Sequence, residues 1–301
     1  METRSFKLRA IRSKRRLAAS PRLAYDLIAM HASQTDLKTL LARLDEIARK
    51  AGDIAMGYFR SGERTLAEVS YKGGGSPVTQ ADLAVDRFLF EAMLALRPDA
   101  GWVSEETADN TERLSRSTIV VVDPIDGTLA YARGDDRWAV SIALVENGRP
   151  IVGVVHAPAL GETYLAGKGL GATLNGQPIT VSTRETLEGA QIVAPRGLGP
   201  LFEKSAYGFN IVPRTPSLAL RLADIASGRN DLAIAAPNSC DWDIAAADLI
   251  LSEAGGLLSE LDGAPLTYNR PLLSRDMLVA APLPLFPPSL ALARSVARGI
   301  A

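Results

Sequence analysis

The chain has 301 residues, 47% of them hydrophobic, and a formal net charge of −1. That length supports one large α/β domain or two tightly joined lobes, with ample material for a core. The near-neutral charge supplies no global field for nucleic acid or a membrane surface. A single cysteine, Cys240, excludes a disulfide framework, and with only His31 and His156 a zinc site is not expected. Any metal here would be held by oxygen, which means magnesium, manganese or calcium. No run is long and apolar enough to span a bilayer.

Residues 1–35 read as a basic, disordered leader. Up to Met30 they hold eight basic residues (Arg4, Lys7, Arg9, Arg12, Lys14, Arg15, Arg16 and Arg22) against Glu2 and Asp26. They lack the apolar stretch of a secretory signal, and Met30 offers an alternative start. A basic arm for nucleic acid or anionic lipid is the competing reading. Asp36 is expected to cap a helix whose apolar positions, from Leu37 to Tyr58, follow helical spacing. Gly73-Gly74-Gly75-Ser76 is a flexible loop without the Lys-Ser/Thr ending of a P-loop. Pro77–Asp82 leads into a second helix, with Asp82 in its first turn, where a carboxylate suits the helix dipole. Gly101–Glu106 is a short apolar run ending in paired acids.

Ile119–Val122 reads as a strand buried on both faces. It runs into Asp123-Pro124-Ile125-Asp126-Gly127-Thr128. Pro124 cannot donate to a ladder and is expected to end the pairing, which leaves Asp123 at the strand tip and Asp126 on the turn beside it. Two carboxylates there repel, and a divalent cation between them resolves the conflict. The Gly127 and Thr128 N–H groups could hold a phosphate oxygen. The alternative is a surface turn with two solvated acids. Ala139–Val145 and Ile151–His156 flank a hairpin turn, with His156 a core or rim residue. Asn175-Gly176 marks another turn. A second lobe is expected from residue 185. It contains segments at Gln191–Ala194, Leu218–Ser227 and Asp231–Ala235, and an Ala-rich helix from Cys240 to a glycine stop at Gly255. Asp243 or Asp241 would serve as its N-cap. The resulting division is 1–35, 36–184 and 185–301.

Four separated segments, in order, resemble the inositol monophosphatase superfamily of metal-dependent, lithium-sensitive phosphatases. They are Pro77–Asp82, Ser104–Thr107, Asp123–Thr128, and Trp242–Ala247 with Glu253–Gly256. The resemblance covers about residues 36–280. It implies an α/β fold, an αβαβα sandwich like that of the inositol monophosphatases and fructose-1,6-bisphosphatases. It implies metal ligands at Glu105, Asp123, Asp126 and Asp243 and at the Ile125 carbonyl, for two or three Mg2+ ions or Mn2+. Asp82 and Thr128 would orient the attacking water, with Glu105 a third catalytic residue, and Asp82 would also touch a third metal. The implied reaction is in-line hydrolysis of a small phosphomonoester with no covalent intermediate. A homodimer and a cytoplasmic location come with the family; a nucleic-acid or membrane partner does not.

Two departures bear on the substrate. Ser104-Glu105-Glu106-Thr107 replaces a common Gly-Glu-Glu-Ser but keeps both acids. Ala235-Ala236-Pro237-Asn238 stands where inositol-phosphate enzymes usually carry a carboxylate for sugar hydroxyls. The spacing from Gly228 to Asp243 resembles the 3'(2'),5'-bisphosphate nucleotidase branch, as does Val154–Pro158, where that branch has an aromatic in place of His156. Arg221 would then meet a second phosphate, or else be an exposed helix arginine. Inositol monophosphate and 3'-phosphoadenosine 5'-phosphate are the rival substrates, ahead of histidinol phosphate and fructose 1,6-bisphosphate. A protein of another class, regulatory or RNA-associated, could keep the same fold.

Overall fold

The computed structural model describes residues 21–299 except 196 and 204, with side chains from residue 36 onward apart from residue 201. The described residues divide into two units, one up to Asp36 and a compact one from Leu37 onward. Of the expected disordered leader, residues 1–20 lie outside the described residues, while residues 21–35 are the start of a helix. In chain order the elements are α1 (Pro21–Tyr58), β1 (Val69–Tyr71), β2 (Pro77–Thr79), α2 (Gln80–Leu96), β3 (Gly101–Ser104), β4 (Thr118–Asp126), α3 (Thr128–Ala132), β5 (Ala139–Glu146), β6 (Arg149–Ala157), β7 (Glu162–Gly167), β8 (Gly171–Leu174) and β9 (Gln177–Pro178). There follow β10 (Gln191–Val193), α4 (Gly199–Glu203), β11 (Asn210–Ile211), α5 (Leu218–Ala226), β12 (Leu232–Ala235), α6 (Asp241–Glu253), β13 (Gly256–Ser259), β14 (Leu278–Pro282) and α7 (Phe286–Ala297).

Asp36 lies inside α1 rather than at its cap, because the helix begins at Pro21. Proline is preorganised for a first helical turn, and no glycine or second proline interrupts the chain before Gly52.

Seven strands form one sheet in the order β3-β4-β5-β6-β7-β8-β9, and five form another in the order β11-β10-β12-β14-β13. In the first sheet β3 and β4 run parallel, and the neighbours that follow are antiparallel. The period-2 alternation of a strand explains the layering. Val120 and Val122 pack with Leu44, Ala48, Val85 and Leu89 of α1 and α2. Ile119 and Val121, on the opposite face, pack with α5 and α6, which also meet Ala233 and Ala235 of β12. The far face of the second sheet, with Ile192, Ile234 and Val279, is covered by Phe286, Ala293 and Val296 of α7. The layers of the compact unit therefore run α, β, α, β, α. The β5–β6 turn places Asn147 and Gly148 at φ 49° and 75°, and the β8–β9 turn places Asn175 and Gly176 at 50° and 78°. Asn and Gly tolerate that left-handed region best, so both turns were legible from the sequence.

β6 and α6 approach closely at Gly153. A Cβ there would stand 2.7 Å from the Ala246 carbonyl oxygen and 3.1 Å from its Cα. The bare glycine lets the helix that carries Asp243 lie directly on the sheet.

Pro124 does not end the pairing. β4 continues to Asp126, which pairs with Ala139 after a register shift between Asp123 and Asp126. A bulge accommodates a proline that a regular ladder cannot.

Candidate active site

β4 carries Asp123 to the end of the sheet on the face that Ile119 and Val121 present to α5 and α6. Its carboxylate is buried, and Oδ1 accepts a hydrogen bond from the Ile125 N–H at 3.0 Å. β3 delivers Glu105 just past its end, and α6 delivers Asp243 in its first turn. One carboxylate oxygen from each of Glu105, Asp123 and Asp243 lies within 4.8 Å of the other two. Burial first, then the charges of Glu105, Asp126 and Asp243, raise the carboxyl of Asp123 well above the usual range. Asp243 is raised in the same way, by burial and then by Asp126. Such a cluster of hard oxygen donors fits an oxygen-ligated divalent ion. Burial, then the charges of Asp243 and Asp241, push the neighbouring Cys240 thiol up to about 12.

Asp126 stands outside that trio. Its Oδ2 accepts hydrogen bonds from Ser217 Oγ at 2.5 Å and from the Ala219 N–H at 2.6 Å, at the start of α5. Asp126 is therefore tied to a helix N-terminus, where negative charge is favoured, although burial leaves its pKa raised overall. Asp243 is not the N-cap of α6. Cys240 holds that position, and Asp243, three residues on, accepts the Cys240 N–H at 2.6 Å. Asp241 is not the cap either; its carboxylate pairs with Arg275.

Asp82 belongs to a capping box with Thr79, the N-cap of α2. Its Oδ2 accepts from the Thr79 N–H at 2.8 Å and from Thr79 Oγ1 at 2.5 Å. Its Oδ1 lies 3.1 Å from Thr128 Oγ1, which in turn lies 3.0 Å from the Ile125 carbonyl oxygen. Asp82, Thr128 and Ile125 thus form one buried chain beside the acids. Burial, partly offset by the Thr79 bonds, pushes the Asp82 carboxyl up to about 6. Gly127 turns the chain from β4 into α3 with φ 98°, a conformation that favours glycine.

Arg221 is buried, not exposed. It donates from Nε to the Ser217 carbonyl at 3.3 Å and lines a cavity of about 310 Å³ with Asp126, Asp243, Arg214 and Asn238. Burial, then Arg214, lowers it to about 10. An adjoining cavity of about 600 Å³ shares Pro195, Arg214 and Pro216 and is lined by Leu129, Ala130, Ile211 and Val212. His156 is a buried core residue, with Nδ1 2.9 Å from Thr163 Oγ1.

Sequence reasoning missed Lys72 and Ser217. Lys72 Nζ reaches Glu105 Oε1 at 3.0 Å and Glu106 Oε1 at 2.9 Å from the β1–β2 hairpin. A lysine directly before three glycines, facing a pair of acids in the chain order, was the available signal. Ser217 carried the ordinary N-cap signature ahead of Leu218.

The raised carboxyls make a stability prediction. Glu106 is pushed up to about 7, by burial and then by Glu105 against the opposing bond from Lys72. A carboxyl raised in the folded state contributes stability at low pH that is lost as pH rises through its folded pKa. The metal-free protein is therefore expected to melt at lower temperature as pH rises from 5 to 8. An ion bound to the folded state offsets this, so the rise in melting temperature on adding Mg2+ should be larger at pH 8 than at pH 5. Differential scanning calorimetry at both pH values checks it.

Residues 36–294 match the inositol monophosphatase family model. The 3'(2'),5'-bisphosphate nucleotidase CysQ of Aggregatibacter actinomycetemcomitans is 33% identical over 243 residues, covering 77% of this chain and 88% of that protein. The inositol-1-monophosphatase of Mesorhizobium japonicum is 34% identical over 237 residues, covering 74% and 86%. Among solved structures, the Thermotoga maritima IMPase superposes with a TM-score of 0.75 at 28% identity, covering 86% of this chain and all of that one. The family match and these relatives, with Glu105, Asp123 and Asp243 gathered at the end of the seven-stranded sheet, place the chain among phosphatases that act on small phosphorylated molecules. The chain belongs to the inositol monophosphatase family. Among the described residues no helix is long and apolar enough to cross a membrane.

Proposed function

We propose that the protein is a magnesium-dependent phosphomonoesterase, with Mn2+ as an alternative ion, and that it prefers a bisphosphorylated nucleotide such as 3'-phosphoadenosine 5'-phosphate. The observation that carries the reading is the convergence of Glu105, Asp123 and Asp243. These three, with the free side of Asp126 and the Ile125 carbonyl, would hold two or three ions. Bound magnesium would polarise the phosphoryl group and acidify a water. Asp82, through its link to Thr128, orients that water and takes up its proton. The Gly127 and Thr128 N–H groups head α3, and such groups lack intrahelical partners, so they would hold a phosphate oxygen of the substrate. The substrate, lithium sensitivity, a homodimer, a cytoplasmic location and the lobe boundary near residue 185 all belong to this proposal.

The walls of the cavity support the nucleotide. No carboxylate occurs in Ala235–Asn238, so a polyol lacks a charge-assisted partner there. Each such loss costs about 1.5–3 kcal/mol. Arg221 remains cationic and can pair with a second phosphate, and the adjoining apolar cavity has room for a base. The expected result is a kcat/KM for 3'-phosphoadenosine 5'-phosphate about 10- to 100-fold above that for inositol 1-phosphate. Arg221→Ala should narrow the gap by weakening the nucleotide alone. Side-by-side kinetics on both substrates decide it, and a clear preference for inositol 1-phosphate ends the nucleotide reading.

A further inference from the structure

The Asp243 carboxylate is held by the backbone of the residues just before α6, and those residues are held from the side by a strap formed by residues 267–275. Arg275 donates its N–H to the Ser239 carbonyl at 2.7 Å and accepts the Asn238 N–H at 2.9 Å. The Asp241 N–H donates to the Leu273 carbonyl at 3.0 Å. The Arg275 side chain closes the clamp. Its Nε and Nη2 each lie 2.7 Å from Asp241 Oδ1, and Nη2 also donates to the Thr267 carbonyl at 2.8 Å. The guanidinium sits 4.9 Å over the Tyr268 ring, and Tyr268 donates from its hydroxyl to Asp248 Oδ2 at 2.8 Å. The strap thus grips α6 at Asp241 and again at Asp248, two turns further on, with Asp243 between the two points.

Arg275 and Asp241 are only 4% and 1% exposed. A pair so buried is a weak source of stability, because desolvation cancels much of the attraction and an apolar pair of similar volume often serves as well. What the pair does supply is a fixed direction for the first turn of α6. Supporting groups of this kind govern how well metal ligands are presented.

We infer that Arg275 is a positioning residue: by clamping Asp241 it sets the Asp243 carboxylate against Glu105 and Asp123. The inference rests on Asp243 being a metal ligand, as proposed above. Asp241 and Arg275 touch neither substrate nor ion in this account.

The test is Mn2+ binding by the full chain, followed by the loss of the free-ion electron paramagnetic resonance signal, alongside metal-free melting. The double variant Arg275→Met/Asp241→Leu removes both buried charges. It is expected to melt near the parent temperature yet bind Mn2+ about 10- to 100-fold more weakly, with kcat reduced and KM nearly unchanged. Asp241→Asn keeps an acceptor for Arg275 and should bind Mn2+ within about threefold of the parent, a rescue that a purely electrostatic role would not give. If the double variant does not fold, Arg275→Lys takes its place. It keeps the charge but cannot span both Asp241 and the Thr267 carbonyl, and a severalfold loss is expected. Parent-like Mn2+ affinity in the double variant, or in Arg275→Lys, would overturn the inference. A parent protein that binds no Mn2+ would instead overturn the metal reading beneath it.

Discussion

Asp123→Asn is expected to reduce kcat by about 10³-fold or more while the protein stays folded. The loss corresponds to several kcal/mol of charge stabilisation at the phosphoryl group. Asp123 is central to the acids: the charges of Glu105, Asp126, Asp243 and Asp82 all raise its carboxyl. Asparagine keeps the oxygen that accepts the Ile125 N–H, so the local backbone retains its support. It also removes one buried like charge, so the metal-free melting temperature should not fall and should rise at alkaline pH. Steady-state kinetics with calorimetry on the same preparation check both halves. Magnesium-dependent turnover near the parent level would remove Asp123 from the site.

Asp82→Asn is expected to lower kcat by about 10²–10⁴-fold, the usual contribution of a positioned acid or base. Asp82 is bonded to Thr79 at the cap of α2 and lies against the Thr128 hydroxyl. Asparagine can accept from Thr79 but cannot take a proton from water. Mn2+ affinity should change much less than kcat, which separates this variant from Asp123→Asn. An equal loss of metal affinity and turnover would reassign Asp82 as a metal ligand.

The difference between these two acids illustrates what the sequence conveys. The valine run before Asp123 announced a strand buried on both faces, and its two faces do meet different helices. The Asn-Gly turns were equally plain, because the backbone conformation they permit is intrinsic to those residues. Pro124 misled because a local rule met a tertiary exception: a bulge lets β4 resume at Asp126. Asp36 misled because a good capping residue is also tolerated within a helix once a proline starts that helix further upstream. For Asp243 the first turn of the helix was visible, while its role as third residue of a capping box depended on where Cys240 falls. Lys72 left only the weak signal of a lysine before three glycines, and the Arg275 clamp left none. Each acts across a long sequence separation, and neither leaves a periodic signal.

The most direct measurement is phosphate release from 3'-phosphoadenosine 5'-phosphate and from inositol 1-phosphate across a Mg2+ titration, with a chelated control. We expect turnover of at least one substrate that rises with Mg2+, vanishes on chelation and is lost in Asp123→Asn. Turnover that survives chelation, or no phosphate release from either substrate at any Mg2+ concentration, would contradict the account.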